Sequence, residues 1–304
     1  MNERFQMLKN FDFQNSTAHL WVFKNSTAEI RYRASYVQTE DGLSNQLKGF
    51  VIAEINSLIE QAPYSYIAQT NENSCLSIPQ DETDFPLLKA QVDRIESEHR
   101  AMSVNELKGA KGYLAKFTNN GLTIYAVKRS TTTWKTAYGK KFINMIFSNG
   151  ELSSVEDNGF SIERNFDFYS VNGAIFISNK RGFESALQHK ASYRHAFVQL
   201  QDNQAFSSIF TNLEPIIEYV GTNSIHLRRM AIIEEKGIYS LGNFIPRLQE
   251  ANLQYGWGIN FDNQTNQIIP CEQTIRVIIQ VLLDHRLMSQ ITENIYDVPD
   301  AIQV

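Results

Sequence analysis

Four Asn-Gly pairs punctuate residues 120–173: Asn120-Gly121, Asn149-Gly150, Asn158-Gly159 and Asn172-Gly173. Both residues of such a pair accept positive φ. That is what a tight turn needs if its twist is to match the strands it joins. A chain marked in this way is committed to antiparallel hairpins. Strand-like runs lie between and around the pairs, at 113–117, 122–128, 141–147, 160–170 and 174–178. In the run 160–170, Phe160, Ile162, Arg164, Phe166 and Phe168 alternate with Ser161, Glu163, Asn165, Asp167 and Tyr169. This is the period-2 pattern of a half-buried strand. Residues 105–180 therefore read as an antiparallel meander.

The flanks differ from this centre. Strands are expected at 20–23 and 30–37. A helix is expected at 43–61, where Leu47, Phe50, Val51, Ile55, Leu58 and Ile59 fall at helical spacing and Pro63 stops the pattern. Thr83 and Asp84 start a second helix, with Leu88, Val92 and Ile95 as its buried stripe. Beyond 180 short helices follow at 183–188, 193–201, 205–219, 224–235 and 241–252, then two strands at 257–261 and 267–269. A last helix, 272–287, is apolar almost all round and is expected to be central and buried. The fold class is α+β: a central antiparallel β-meander between an N-terminal mixed α/β segment and a mostly helical C-terminal region. The divisions fall at 1–104, 105–190 and 191–304, in keeping with the size of a 304-residue chain.

The same central stretch carries the sharpest charge asymmetry. From 107 to 150 there is no Asp or Glu, and there are eight basic residues: Lys108, Lys111, Lys116, Lys128, Arg129, Lys135, Lys140 and Lys141. The whole chain has net charge −5, so the rest carries −13. Tyr113, Tyr125, Trp134 and Tyr138 are interleaved with the basic residues. Positive charge gathered on one surface attracts polyanions, and aromatic side chains stack on bases. Lys111, Lys116, Lys128, Arg129, Lys135, Lys140 and Lys141 are the candidate phosphate contacts; Trp134 and Tyr138 are the candidate stacking groups. The plainer reading is that solvated lysines guard strand edges from aggregation. A third reading is a scaffold whose basic sheet docks an acidic partner.

Catalytic patterns are sparse. There is no Gly-rich phosphate loop, no His-Glu-x-x-His and no Gly-x-Ser-x-Gly, and no cofactor is expected. Glu163 and Asp167, on one strand face near Asp157, suggest a Mg²⁺-dependent nuclease. Such a site wants an Asp and then Glu-x-Lys, but Arg164 and Asn165 follow Glu163. The alternative is a cross-strand ion pair with Lys128 or Lys141. The segment 241–252 could serve as a winged-helix recognition helix, but it carries only Arg247 against Glu250, too little positive charge for phosphates.

Cys75 and Cys271 lack paired-ligand spacing and read as reduced thiols of a cytoplasmic protein. The first residues lack the apolar stretch of a secretory signal. The most apolar run, 275–283, is broken by Arg276 and Gln280 and falls far short of the roughly 20 residues of a membrane span.

Three segments carry a resemblance. They are Ile124-Tyr-Ala-Val-Lys-Arg-Ser130, then Phe160-Ser-Ile-Glu-Arg-Asn-Phe-Asp-Phe-Tyr-Ser-Val-Asn-Gly-Ala-Ile-Phe-Ile-Ser-Asn-Lys-Arg-Gly-Phe-Glu184, then Thr274-Ile-Arg-Val-Ile-Ile-Gln-Val-Leu-Leu-Asp-His-Arg286. Over residues 105–297 the chain resembles the KwaB family of the Kiwa anti-phage defence system. The resemblance implies a double-stranded-DNA-binding effector, a homodimer or higher homo-oligomer. It also implies a cytoplasmic protein recruited to the inner membrane by a KwaA-like integral membrane partner, without lipid insertion of its own. It transfers no catalytic residue.

Overall fold

The N-terminal third of the chain supplies both flanks of a sheet whose centre is the Asn-Gly-rich stretch. The computed structural model describes residues 2–27, 29–107, 109–130, 145–148, 151–154, 162–187, 189–288 and 295–297. Helix α1 (Asn2–Lys9) leads into β1 (Thr17–Asn25), which turns back as β2 (Tyr32–Val37). Then come α2 (Asp41–Ser57), β3 (Glu60–Pro63), β4 (Ser74–Pro79), α3 (Phe85–Val92) and the single turn α4 (Val104–Leu107). The central stretch gives β5 (Gly112–Asn119), β6 (Leu122–Arg129), β7 (Met145–Ser148), β8 (Glu151–Ser154), β9 (Phe168–Val171) and β10 (Ala174–Ile177), followed by α5 (Lys180–Ala186). Eight strands form one sheet in the order β2-β1-β5-β6-β9-β10-β4-β3. All neighbours are antiparallel except β3 and β4. Among the described residues, strands β7 and β8 pair only with each other.

The sheet is buried on both faces, and strand alternation sorts the residues between them. Leu20, Val22, Tyr113, Ala115, Ile124, Ala126, Tyr169 and Phe176 pack with Phe5, Leu8, Leu47, Val51 and Ile55 of α1 and α2. Trp21, Phe23, Leu114, Tyr125, Val127, Phe168 and Ile175 pack with Phe85, Leu88, Phe183 and Ala186 of α3 and α5. Burial on both sides explains why these strands read as nearly continuous apolar runs. Two of the Asn-Gly pairs are tight turns with both residues at positive φ: Asn120 at 49° and Gly121 at 78°, Asn172 at 45° and Gly173 at 76°. Asn149-Gly150 and Asn158-Gly159 lie outside the described residues.

Several local expectations are corrected. Of the described residues 162–170, only those from Phe168 form a strand, and Phe166, Asp167, Phe168 and Tyr169 are buried in succession. Alternation fails because Asp167 turns inward: its N–H donates to Val127 O, and its own carbonyl accepts from Ser178 and Asn179 N–H. Helix α2 stops at Ser57, before Pro63, and Lys9 Nζ donates to the carbonyls of Ile55 (2.9 Å) and Leu58 (2.6 Å) at its end. Ile95 lies beyond α3 and is 59% exposed. Strands β3, β4 and β8 were not marked by the sequence, and β3 begins inside the span 43–61 expected to be helical.

Residues 1–64 and 68–189 form one compact unit; residues 65–67 and 190–304 form a second. Strands from 1–104 and from 105–190 thus share one sheet. The second unit comprises α6 (Lys190–Asp202), α7 (Gln204–Ser207), α8 (Glu214–Val220), α9 (Ser224–Lys236), α10 (Phe244–Tyr255), β11 (Asn260–Phe261), β12 (Ile268–Ile269), α11 (Glu272–Leu282), β13 (Arg286–Met288) and β14 (Ile295–Asp297). Its core gathers Phe197, Phe206, Leu227, Met230, Leu248 and Ile278. Helix α11 is amphipathic rather than buried all round: Thr274, Ile275, Ile278, Ile279 and Leu282 face the core, while Glu272, Gln273 and Arg276 are exposed.

Candidate nucleic-acid interface

Strand alternation sends the described basic residues to different faces. Lys128 follows Ile124 and Ala126 onto the α1/α2 face. Lys116 follows Leu114 onto the α3/α5 face, where its Nζ lies 3.1 Å from Asp93 Oδ1 and donates to Val92 O at 3.3 Å. Arg129 reaches the α5 side. Its Nε donates to Ser185 Oγ at 3.0 Å, and its Nη1 donates to Ser130 O at 2.7 Å and to Lys111 O. Lys111 is exposed. Trp134, Lys135, Tyr138, Lys140 and Lys141 lie outside the described residues.

Lys128 is therefore an internal cation and not a solvated one. It is 4% exposed. Its Nζ meets Glu163 Oε2 at 2.9 Å, Asn165 Oδ1 at 3.2 Å and Asp167 Oδ1 at 3.3 Å. Burial alone would lower its pKa; the hydrogen bond to Glu163 and the charge of Asp167 outweigh burial and hold it above its ordinary value. Asp167 is the hub of the cluster. Arg129 N–H donates to its Oδ2 at 2.6 Å and Asn179 Nδ2 donates to its Oδ1 at 2.9 Å. Burial raises the Asp167 carboxyl, and these donors offset only part of that. Asn179 also caps α5 by accepting from Gly182 N–H. Gly182 has to be glycine here, since a Cβ at that position would fall inside contact distance of the Asp167 carboxylate.

Helix α2 adds Glu54, which the sequence reading passed over. Its Oε2 accepts from Phe166 N–H at 2.8 Å, and burial raises its pKa. A signal was available: Glu54 stands three residues after Val51 and one before Ile55, on the buried stripe of α2. A carboxylate on an apolar stripe needs an internal donor.

This geometry bears on the metal-dependent reading. Glu163 and Asp167 converge, but on the Lys128 ammonium. With 1% of its side chain exposed, Asp167 is out of reach of a phosphodiester. Among the described residues no group of three or more His, Cys, Asp or Glu is placed to hold a metal ion. The described geometry matches the ion-pair alternative with Lys128: Glu163 and Asp167, from the segment before β9, meet Lys128 of β6.

A family model described as Kiwa protein KwaB-like matches residues 107–292, more than half of the chain. The chain belongs to that family. Membership assigns it to Kiwa anti-phage defence. The match starts at the first residue of the acid-free window and takes in β5, β6, the Asp167 hub and α11. No curated protein and no solved structure matches the chain. No helix among the described residues is long and apolar enough to cross a membrane.

Proposed function

We propose that this KwaB-family protein is a sequence-tolerant DNA-binding effector of Kiwa defence, acting with a KwaA-like membrane partner and as a homo-oligomer. The observation that carries the reading is the window 107–150, with eight basic residues and no acid in a chain of net charge −5. It opens the segment that matches the family. Lys128 is buried in an ion pair, and Lys116 and Arg129 already have partners within the fold. The phosphate contacts are therefore assigned to Lys111, Lys135, Lys140 and Lys141, with Trp134 and Tyr138 as stacking groups. Contacts of this kind set affinity and register but carry no base information, so binding tolerates any sequence. Recruitment to the membrane runs through the partner.

The direct experiment is retention of purified full-length protein on duplex DNA, with and without Mg²⁺. The reading expects retention of unrelated sequences to similar extents and no cleavage in either condition. Absence of retention at low salt would contradict it.

A further inference from the structure

The second unit contains a cavity of about 320 Å³, at the small end of small-molecule sites. Its floor is apolar, with Phe244 and Leu248 from α10 and Val281 from α11. Its charged lining comes from two helices. Arg247 and the N-cap Asn243 belong to the first turn of α10, and Asp284 lies just past the end of α11. Arg247 and Asp284 bring opposite charges to one cavity, yet no ion pair joins them. Neither side chain has another partner among the described residues.

Asp284 is locally costly in two ways. Its φ of 58° is the left-handed conformation in which a helix usually ends on Gly or Asn. Its charge also sits at the negative end of the α11 dipole. Lys236 Nζ, which donates to Leu283 O at 2.6 Å, brings one cation to this helix end, and the Asp284 carboxylate itself is left open to a ligand in the cavity. At the other wall, the Asn243 side chain makes no capping hydrogen bond, so the amino end of α10 and the Arg247 guanidinium present a positive pole. The cavity is thus lined by one negative and one positive side chain together with apolar ones.

We propose that this cavity binds a guanine mononucleotide. The Asp284 carboxylate accepts from the adjacent N1–H and N2–H of guanine, the base lies on Phe244, Leu248 and Val281, and the phosphate meets Arg247. Charge-assisted hydrogen bonds at both ends fix the orientation. Adenine places an acceptor beside its amino group, so it cannot give the carboxylate two donors. Inorganic phosphate would satisfy Arg247 while leaving Asp284 and the apolar floor unmet. The site is independent of the charge window, which lies in the first unit, so either proposal can fail without the other.

The test is isothermal titration of full-length protein with GMP, AMP, guanosine, inorganic phosphate and a short single-stranded oligonucleotide containing guanine. Wild type is compared with Asp284→Asn and Arg247→Gln. Both positions are exposed, and thermal melts check that both variants fold. GMP is expected to bind, and AMP at least roughly tenfold more weakly, the loss of a charged hydrogen bond. Asp284→Asn should weaken GMP by a similar factor. Arg247→Gln should weaken GMP and leave guanosine unchanged. Absence of GMP binding, GMP binding indifferent to both substitutions, or phosphate binding as tightly as GMP would overturn the proposal. An oligonucleotide held through Asp284 where GMP is not held would overturn it in favour of a strand site.

Discussion

Lys128 Nζ lies 3.3 Å from Asp167 Oδ1, with 5% and 1% of the two side chains exposed. This pair turns a nominal DNA contact into an internal strut between β6 and the entry to β9. Removing one partner of a buried pair leaves the other charge uncompensated, at a cost of about 3–5 kcal/mol. Lys128→Met and Asp167→Ala should each lose stability on that scale in urea unfolding. Lys111→Gln, at an exposed position, should change it by no more than about 0.5 kcal/mol. Equal, small effects at Lys128 and Lys111 would contradict the buried placement.

Gly182 supports the same cluster through shape. A methyl group there collides with the Asp167 carboxylate, so Gly182→Ala should destabilise by about 1–3 kcal/mol, the usual range for overpacking. It should also shift the Arg129 and Asn179 amide signals, because both residues bond Asp167. A neutral or stabilising Gly182→Ala would mean that α5 does not sit against Asp167.

Glu54 predicts a pH dependence. Burial raises its folded-state pKa above the ordinary 4.5. A raised carboxyl contributes stability that is fully present below the unfolded pKa and is lost as pH rises through the folded one. The melting temperature of wild type, compared with Glu54→Gln, should therefore fall as pH rises from about 4.5 towards neutrality. Glutamine keeps an acceptor for Phe166 N–H, so the variant isolates the titration. Parallel melting curves across that window would rule out the assigned shift.

Glu163 is the half-exposed member of the cluster, with 43% of its side chain accessible. Glu163→Gln should leave DNA retention unchanged and reveal no lost cleavage, since the carboxylate serves Lys128. Mg²⁺-dependent cleavage by wild type that disappears in Glu163→Gln would make the nuclease reading the better one.

Turns and periodic helices were legible in the sequence, and partnerships were not. Asn120-Gly121 and Asn172-Gly173 fixed two hairpins because the turn chemistry is local. The apolar stripe of Leu47, Val51 and Ile55 fixed α2 for the same reason. That β4 joins β10 while β1 joins β5 depends on pairing between residues far apart in sequence, as in Ile78 with Ile175 and Trp21 with Leu114. Counting charge is likewise blind to burial: Lys128 and Lys111 weigh the same in the window, yet one is enclosed and the other solvated. Asp167 looked like one side of a regular strand because alternation does not register a backbone shared among Val127, Ser178 and Asn179.

The salt dependence of DNA binding tests the central claim most directly. Each phosphate neutralised by a lysine releases condensed counterions, so the logarithm of affinity falls with the logarithm of salt concentration at about −0.9 per contact. Replacing Lys140 and Lys141 by Gln should flatten that slope by up to roughly 2 and weaken all sequences alike. An unchanged slope in a normally folded double variant would show that the basic window does not hold the DNA.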